Sequence, residues 1–226
     1  MFRLDDRLSL CASFVREGIS LADIGTDHGY LPIWLLVNKK IRYAVAADVR
    51  EGPLDRARMN TERYGLTDKV KIVLSDGLDS ITADEADDIV MAGMGGELIA
   101  KLIDRTPWLR DSNKNLILQP MTRAEVLREY LCKSGFCIKE EKACISFGKT
   151  YSVILAAYDG TIRQCDLKYR YVGKLDSDKS AEAKRYIYVV NEKLKKKLNG
   201  YECGTEEYNS VKALISKLSE LTDTEE

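Results

Sequence analysis

The segment Asp23-Ile24-Gly25-Thr26-Asp27-His28-Gly29 sets two glycines and two acids around one short loop. Glycines let a ligand approach the backbone closely, and the acids favour a positively charged ligand over a pyrophosphate. A dinucleotide site would call for G-x-G-x-x-G. This loop reads G-x-x-x-G, which serves a plain tight turn equally well. Asp48 follows about 20 residues on, where an acid grips ribose hydroxyls in nucleotide-binding folds; a helix-capping or exposed aspartate is the alternative. Ser75-Asp76-Gly77 repeats the acid–glycine pairing, with Asp76 able to accept from an adenine amino group or to form an ordinary Asp-Gly turn. Ala92-Gly93-Met94-Gly95-Gly96 reads as an apolar, glycine-rich loop where a cofactor's reactive end meets its target, or as a flexible connector. Gln119-Pro120-Met121 either lines the target's pocket or shapes a loop. The one histidine, His28, is of a type more often hydrogen-bonded in structure than catalytic. Asn60 and Tyr64 share a helical face, where packing is the better reading for Tyr64.

Such residues must be held at one edge by regular elements. Short apolar runs occur at 21–25, 43–48, 70–74, 87–92 and 115–119, most of them rich in β-branched residues and separated by polar or helical-period segments. That alternation predicts βαβ units and a parallel sheet, whose strands are buried on both faces. Four successive runs carry Gly or Asp at or just past their ends, at the edge where loops of such sheets form ligand sites. Segment 51–65 has Pro near its start and Gly at its end, the expected helix punctuation. Segment 122–135 predicts a helix capped by Thr122, with Val126, Leu127, Tyr130 and Leu131 on its apolar face. Runs 136–145 and 151–158 lie too close together for a crossover helix and should pair antiparallel. The pattern suits an α/β, Rossmann-like class I methyltransferase fold, a mostly parallel sheet with a terminal antiparallel hairpin. Other doubly wound folds share it.

The 226 residues, 45% hydrophobic and 31% charged, suit a globular domain of about 160 residues with an appendage, divided as 1–160 and 161–226. No run approaches the roughly 18 apolar residues of a membrane span, and Asp5 and Asp6 interrupt any secretory leader, so a cytoplasmic protein without membrane contact is expected. Six scattered cysteines and one histidine offer no metal-ligand spacing, so no metal is expected. The net charge of −1 hides an uneven distribution. Residues 168–199 carry ten Lys/Arg and four Asp/Glu, whereas residues 200–226 carry two Lys and seven acids. In the appendage Tyr186, Val189, Val190, Leu194 and Leu198 recur at helical spacing, as do Val211, Leu214, Ile215, Leu218 and Leu221. Two helices facing each other as a hairpin or coiled coil result. The first carries Lys184, Arg185, Lys193, Lys195, Lys196 and Lys197; Lys193, Lys196 and Lys197 share a face and Lys195 points elsewhere. A charge run of this kind is either a solvated flank of a projecting or dimerising arm, or a phosphate-contacting surface.

The stretches LADIGTDHGYLPI (21–33), EGPLDRA (51–57), SDGL (75–78), MAGMGG (91–96) and LQPM (118–121), with the L-x-x-R-L of Leu4 to Leu8, resemble the bacterial tRNA (adenine-22, N1)-methyltransferases. The resemblance spans residues 1–158 and departs at Gly29, where alanine is expected. It implies a class I fold, S-adenosylmethionine as methyl donor and tRNA as substrate. It places Asp23, Gly25, Thr26, Asp27, His28, Gly29, Asp48, Asp76, Gly77, Ala92 and Gly93 at the cofactor, with Asp27, Gly93 and Met94 nearest the chemistry. Gln119, Lys184, Arg185, Lys193, Lys196 and Lys197 are the expected RNA contacts, on a monomer or weak dimer.

Adenine N1 has a free lone pair at neutral pH, so methylation there needs positioning and electrostatic support rather than a general base. Transfer to an exocyclic amine would call for an N/D-P-P-aromatic tetrapeptide after the fourth run, where Ala92-Gly93-Met94-Gly95 stands instead. Carbon-5 pyrimidine chemistry would need a cysteine nearby, and none lies between Cys11 and Cys132. A methyltransferase acting on another RNA position, a small molecule or a protein, and a catalytically silent RNA-binding module, are the competing readings.

Overall fold

All five residues of β1 (Ser20–Ile24) are buried, because helices cover both faces of the sheet to which it is central. The computed structural model describes residues 2–222. Around β1 lie β2 (Tyr43–Asp48), β3 (Val70–Leu74), β4 (Asp88–Gly95), β5 (Asn115–Thr122), β6 (Phe136–Ser146) and β7 (Lys149–Tyr158), in the order β3-β2-β1-β4-β5-β7-β6. The first five strands are parallel, and β7 inserts antiparallel between β5 and β6. Alternate residues of each central strand serve two cores. Leu21, Ala44, Ala46, Val90 and Ile117 pack with residues of α1 (Asp6–Phe14) and α2 (Tyr30–Val37). Ala22, Val45, Ile89, Met91 and Leu118 pack with residues of α4 (Gly96–Asp104) and α5 (Ala124–Lys133) on the other side. The remaining crossover helix, α3 (Glu51–Arg63), packs against β2, β3 and α2.

Two expected boundaries differ. Residues 92–95 are not a loop but a bulged continuation of β4, with the register against β5 shifting on either side of Met94. Thr122 does not cap α5; it ends β5, and Arg123, at φ +57, turns the chain into the helix without a side-chain cap.

Beyond β7 come α6 (Leu167–Val172), α7 (Ala181–Leu198) and α8 (Glu206–Thr222). Ser180 caps α7 through the Ala183 amide at 3.2 Å, and Thr205 accepts from the Tyr208 amide at 3.2 Å at the start of α8. The α7–α8 pair closes over Ile187, Leu194, Val211, Leu214 and Leu218. The pair does not simply project: the first turns of α7 lie against β6 and β7, with Ala183 and Tyr186 buried beside Leu175. The last four residues of the acidic C-terminal stretch lie outside the described residues. Among the described residues no helix is long and apolar enough to cross a membrane.

Arg128 of α5 and Glu141 of β6 join the appendage to the sheet. Both side chains have zero exposure, and Arg128 Nη2 donates to Glu141 Oε1 at 2.6 Å. Arg128 Nη1 also donates to the carbonyls of Arg170 and Tyr171 at 2.9 and 2.8 Å, and Nη2 reaches the Tyr186 hydroxyl at 3.2 Å. Burial alone would weaken the Arg128 charge, but the Glu141 carboxylate beside it holds the guanidinium firmly protonated. Gly173 at φ +57 passes so close that a Cβ there would collide with Glu141 Oε2.

Candidate active site

A cavity of about 640 Å³ opens at the carboxyl ends of β1 to β4, within the range usual for small-molecule sites. Asp23, Gly25, Thr26, Asp27, Asp48, Asp76, Gly77, Ala92, Gly93 and Met94 all line it. Near the end of β1, Asp23 is 4% exposed and accepts from Thr26 Oγ1 at 2.6 Å. Burial pushes its carboxyl up to about 6, with the Thr26 hydrogen bond and the Arg7 charge acting in the opposite direction. Gly25 follows at φ +74, where a Cβ would meet Met94 Cε at 3.0 Å; a side chain here would narrow the cavity floor. Asp48 is 6% exposed at the end of β2, and its Oδ1 accepts from the Arg50 amide at 2.9 Å. Asp76 at the rim is exposed and pairs with Arg105 at 2.9 Å, a hydrogen bond that holds its carboxyl below the usual range.

The bulge in β4 shapes the opposite wall. Gly93, at φ +84, is left out of the ladder, and its amide donates to Gln119 Oε1 at 3.1 Å. The same oxygen accepts from Arg7 Nη1 at 2.8 Å, while Gln119 Nε2 donates to the Pro120 carbonyl at 3.1 Å. Gln119 is therefore fully buried beneath the wall and presents no surface to a macromolecule. Arg7 lies beside it in the cavity lining, a residue whose role sequence reasoning missed. Asp5 caps α1 through the Leu8 amide at 2.7 Å and so fixes the turn that carries Arg7.

His28 and Gly29 are not among the residues lining the cavity. The His28 ring stacks on Tyr30 at 5.2 Å, and its Nε2 lies 3.1 Å from Arg56 Nη1. Asn60 donates to the His28 carbonyl at 2.9 Å, bracing the loop from α3, and Tyr64 packs edge-on against Phe2. Gly29 begins α2 at φ +72, a left-handed conformation that glycine suits better than the expected alanine.

Of the five basic residues expected to touch RNA, Lys193 and Lys197 line a second cavity of about 310 Å³, with Arg123, Tyr171 and Tyr186. It meets the first cavity at Met121 and Tyr151, which line both. Lys184, Arg185 and Lys196 do not line it; Arg185 lies over the Tyr188 ring at 5.1 Å.

Residues 4–154 match the methyltransferase domain family. The tRNA (adenine(22)-N(1))-methyltransferase of Bacillus subtilis (strain 168) is 36% identical over 165 residues, which is 70% of this chain and 69% of that protein. This chain belongs to the tRNA (adenine-22, N1)-methyltransferase family. The crystal structure of the B. subtilis M1A22 tRNA methyltransferase TrmK superposes with a TM-score of 0.83 at 30% identity, covering 99% of this chain and 100% of that one. TrmK of M. capricolum, solved in complex with S-adenosyl-homocysteine, gives 0.81 at 26% identity, covering 98% and 99%. The match to those structures extends over α6 to α8 too.

Proposed function

We propose that this chain transfers a methyl group from S-adenosylmethionine to N1 of adenine 22 in tRNA. The observation that carries the reading is the pairing of two buried carboxylates, Asp23 and Asp48, with a bulged glycine wall in one cavity. This donor set fits the cofactor. Asp48 is placed for ribose hydroxyls, Asp23 for the ammonium group, Arg7 for the carboxylate, and Asp76 with Gly77 for the adenine edge. The backbone at Gly25, where a Cβ would crowd Met94, leaves room for a ligand against the strand end. When bound, S-adenosylmethionine supplies an electrophilic methyl carbon on a sulfonium centre.

The chain's own residues position and shield. Gln119 holds Gly93 and Arg7 in place, so the wall that the target base approaches is rigid. N1 brings its own lone pair, and the base becomes cationic as it is methylated. The exposed carboxylate of Asp27, held at φ +51 on the cavity lining, favours that charge. Cys11 is no alternative nucleophile: it is fully buried and burial pushes its thiol far above the ordinary range. The groove bearing Lys193 and Lys197 supplies phosphate contacts beside the site. The six unpaired cysteines fit a reducing cytoplasm.

Labelled cofactor incubated with tRNA transcripts carrying adenosine or guanosine at position 22 tests the proposal. Label enters the first and not the second. Equal labelling of both, or label only in protein or small molecules, contradicts it, and failure to bind cofactor in a calorimeter would leave a silent RNA-binding module.

A further inference from the structure

Phe147 combines three features that a folded protein ordinarily avoids together. It is 91% exposed, it holds φ +48 although it is a bulky residue, and it lies on the lining of the cofactor cavity. The pairing of Ser146 with Lys149 makes Phe147 and Gly148 the two central residues of the β6–β7 turn. Gly148, at φ +74, suits such a turn, whereas the first position favours Asn, Asp or Gly. Neither folding nor packing rewards an aromatic ring there, and strained residues of this kind gather at functional sites. The cavity lining is suited to bases: Leu98 and Met121, half exposed, line the same cavity, and exposed Lys149 follows two residues on.

Resting on the tRNA reading above, we propose that Phe147 is a stacking wedge that enters the RNA base stack as the target adenine leaves it. The N1 atom lies on the edge used for base pairing, and the cofactor cavity is recessed at the strand ends. A stacked, paired adenine cannot bring that atom to the cavity, so it must be extruded. A ring projecting from the rim fills the vacated step, as apolar wedges do in other bent or unstacked nucleic acids. Because stacking accepts any base, the wedge adds no sequence preference of its own. Phe147 is thus a positioning residue.

The decisive variants are Phe147→Asn, which removes the ring while suiting the left-handed turn, and Phe147→Trp, which keeps a stacking face. With 2-aminopurine at the target position of a folded tRNA, wild type raises the fluorescence on binding as the base unstacks. At saturating S-adenosylmethionine, Phe147→Asn loses most of that rise and at least tenfold in kcat/KM for unmodified tRNA, with an equal or higher Tm; Phe147→Trp restores both signals. A Phe147→Asn enzyme with the wild-type fluorescence rise and kcat/KM overturns the wedge. A wild-type enzyme that labels no tRNA overturns the underlying reading instead.

Discussion

Arg128 and Glu141 meet at 2.6 Å with no exposure of either side chain, and the guanidinium also binds the Arg170 and Tyr171 carbonyls that begin the appendage. One buried ion pair therefore sets where α7 lies relative to the active-site edge. Removing one partner leaves a buried charge uncompensated, at a cost of about 3–5 kcal/mol. Glu141→Ala should lower the urea midpoint accordingly, followed through Trp34 and Trp108 fluorescence. An unchanged midpoint would show that the pair contributes nothing to holding the two parts together.

With Asp23 at the proposed ammonium site, cofactor binding should depend on pH. Its carboxyl, raised to about 6 chiefly by burial, is ionised at pH 7 and takes up a proton as the pH falls through that value. The neutral acid loses its attraction for a cationic ligand, so S-adenosylmethionine affinity should fall about tenfold between pH 7 and 5. Stability moves the other way. Since the unfolded carboxyl titrates near 3.8, the fold binds more protons between about pH 4 and 6, and stability falls as the pH rises through that window. Asp23→Asn should flatten both curves. Calorimetric titrations giving a constant wild-type Kd from pH 7 to 5 would remove Asp23 from the ammonium site.

How much of this was legible in the sequence follows from which forces are local. The five parallel strands read clearly because burial on both faces leaves continuous apolar runs, and the acids at their ends then converge by topology. The bulge at Gly93 did not, since the Gln119 side chain that accepts its amide hydrogen bond lies 26 positions away. Arg7 looked like one more helical arginine; its partner is 112 residues distant. Glu141 sits in the polar-looking run KEEK, and only the bulge between Ile138 and Glu140 turns it inward toward Arg128. Helical spacing grouped Lys193, Lys196 and Lys197, of which Lys193 and Lys197 line the second cavity and Lys196 does not; the direction in which that face looks depends on Arg123, Tyr171 and Tyr186 across the groove.

A side chain at Gly93 is strained. At φ +84 a Cβ is strained whatever the space, and here it would stand 3.3 Å from Arg7 Nη1, on the wall of the proposed site. Gly93→Val should reduce turnover at saturating cofactor by at least a hundredfold while the protein stays folded by circular dichroism. Near-normal turnover would mean that the wall is remote from the chemistry.

Lys193 and Lys197 line the groove that adjoins the cofactor cavity, whereas Lys195 pairs with Glu192 at 2.8 Å. Reversing Lys193 and Lys197 to Glu should weaken tRNA binding strongly and make its salt dependence shallower by roughly 0.7–0.9 in log–log slope per lost contact. Lys195→Glu should matter least, and cofactor affinity should not change in either variant. Filter binding across a salt series that leaves the double mutant indistinguishable from wild type would return these lysines to a solvated flank.

The central claim, methylation of adenine N1 in tRNA, is tested most directly by reverse transcription across tRNA from a strain lacking this chain. A methyl group on N1 blocks the pairing edge, so it stops the polymerase at that nucleotide. In the parent strain a stop should fall at adenosine 22, disappear in the deletion strain, and return on complementation with the wild-type chain but not with Gly93→Val. A stop that persists without the chain would mean that another enzyme methylates that nucleotide.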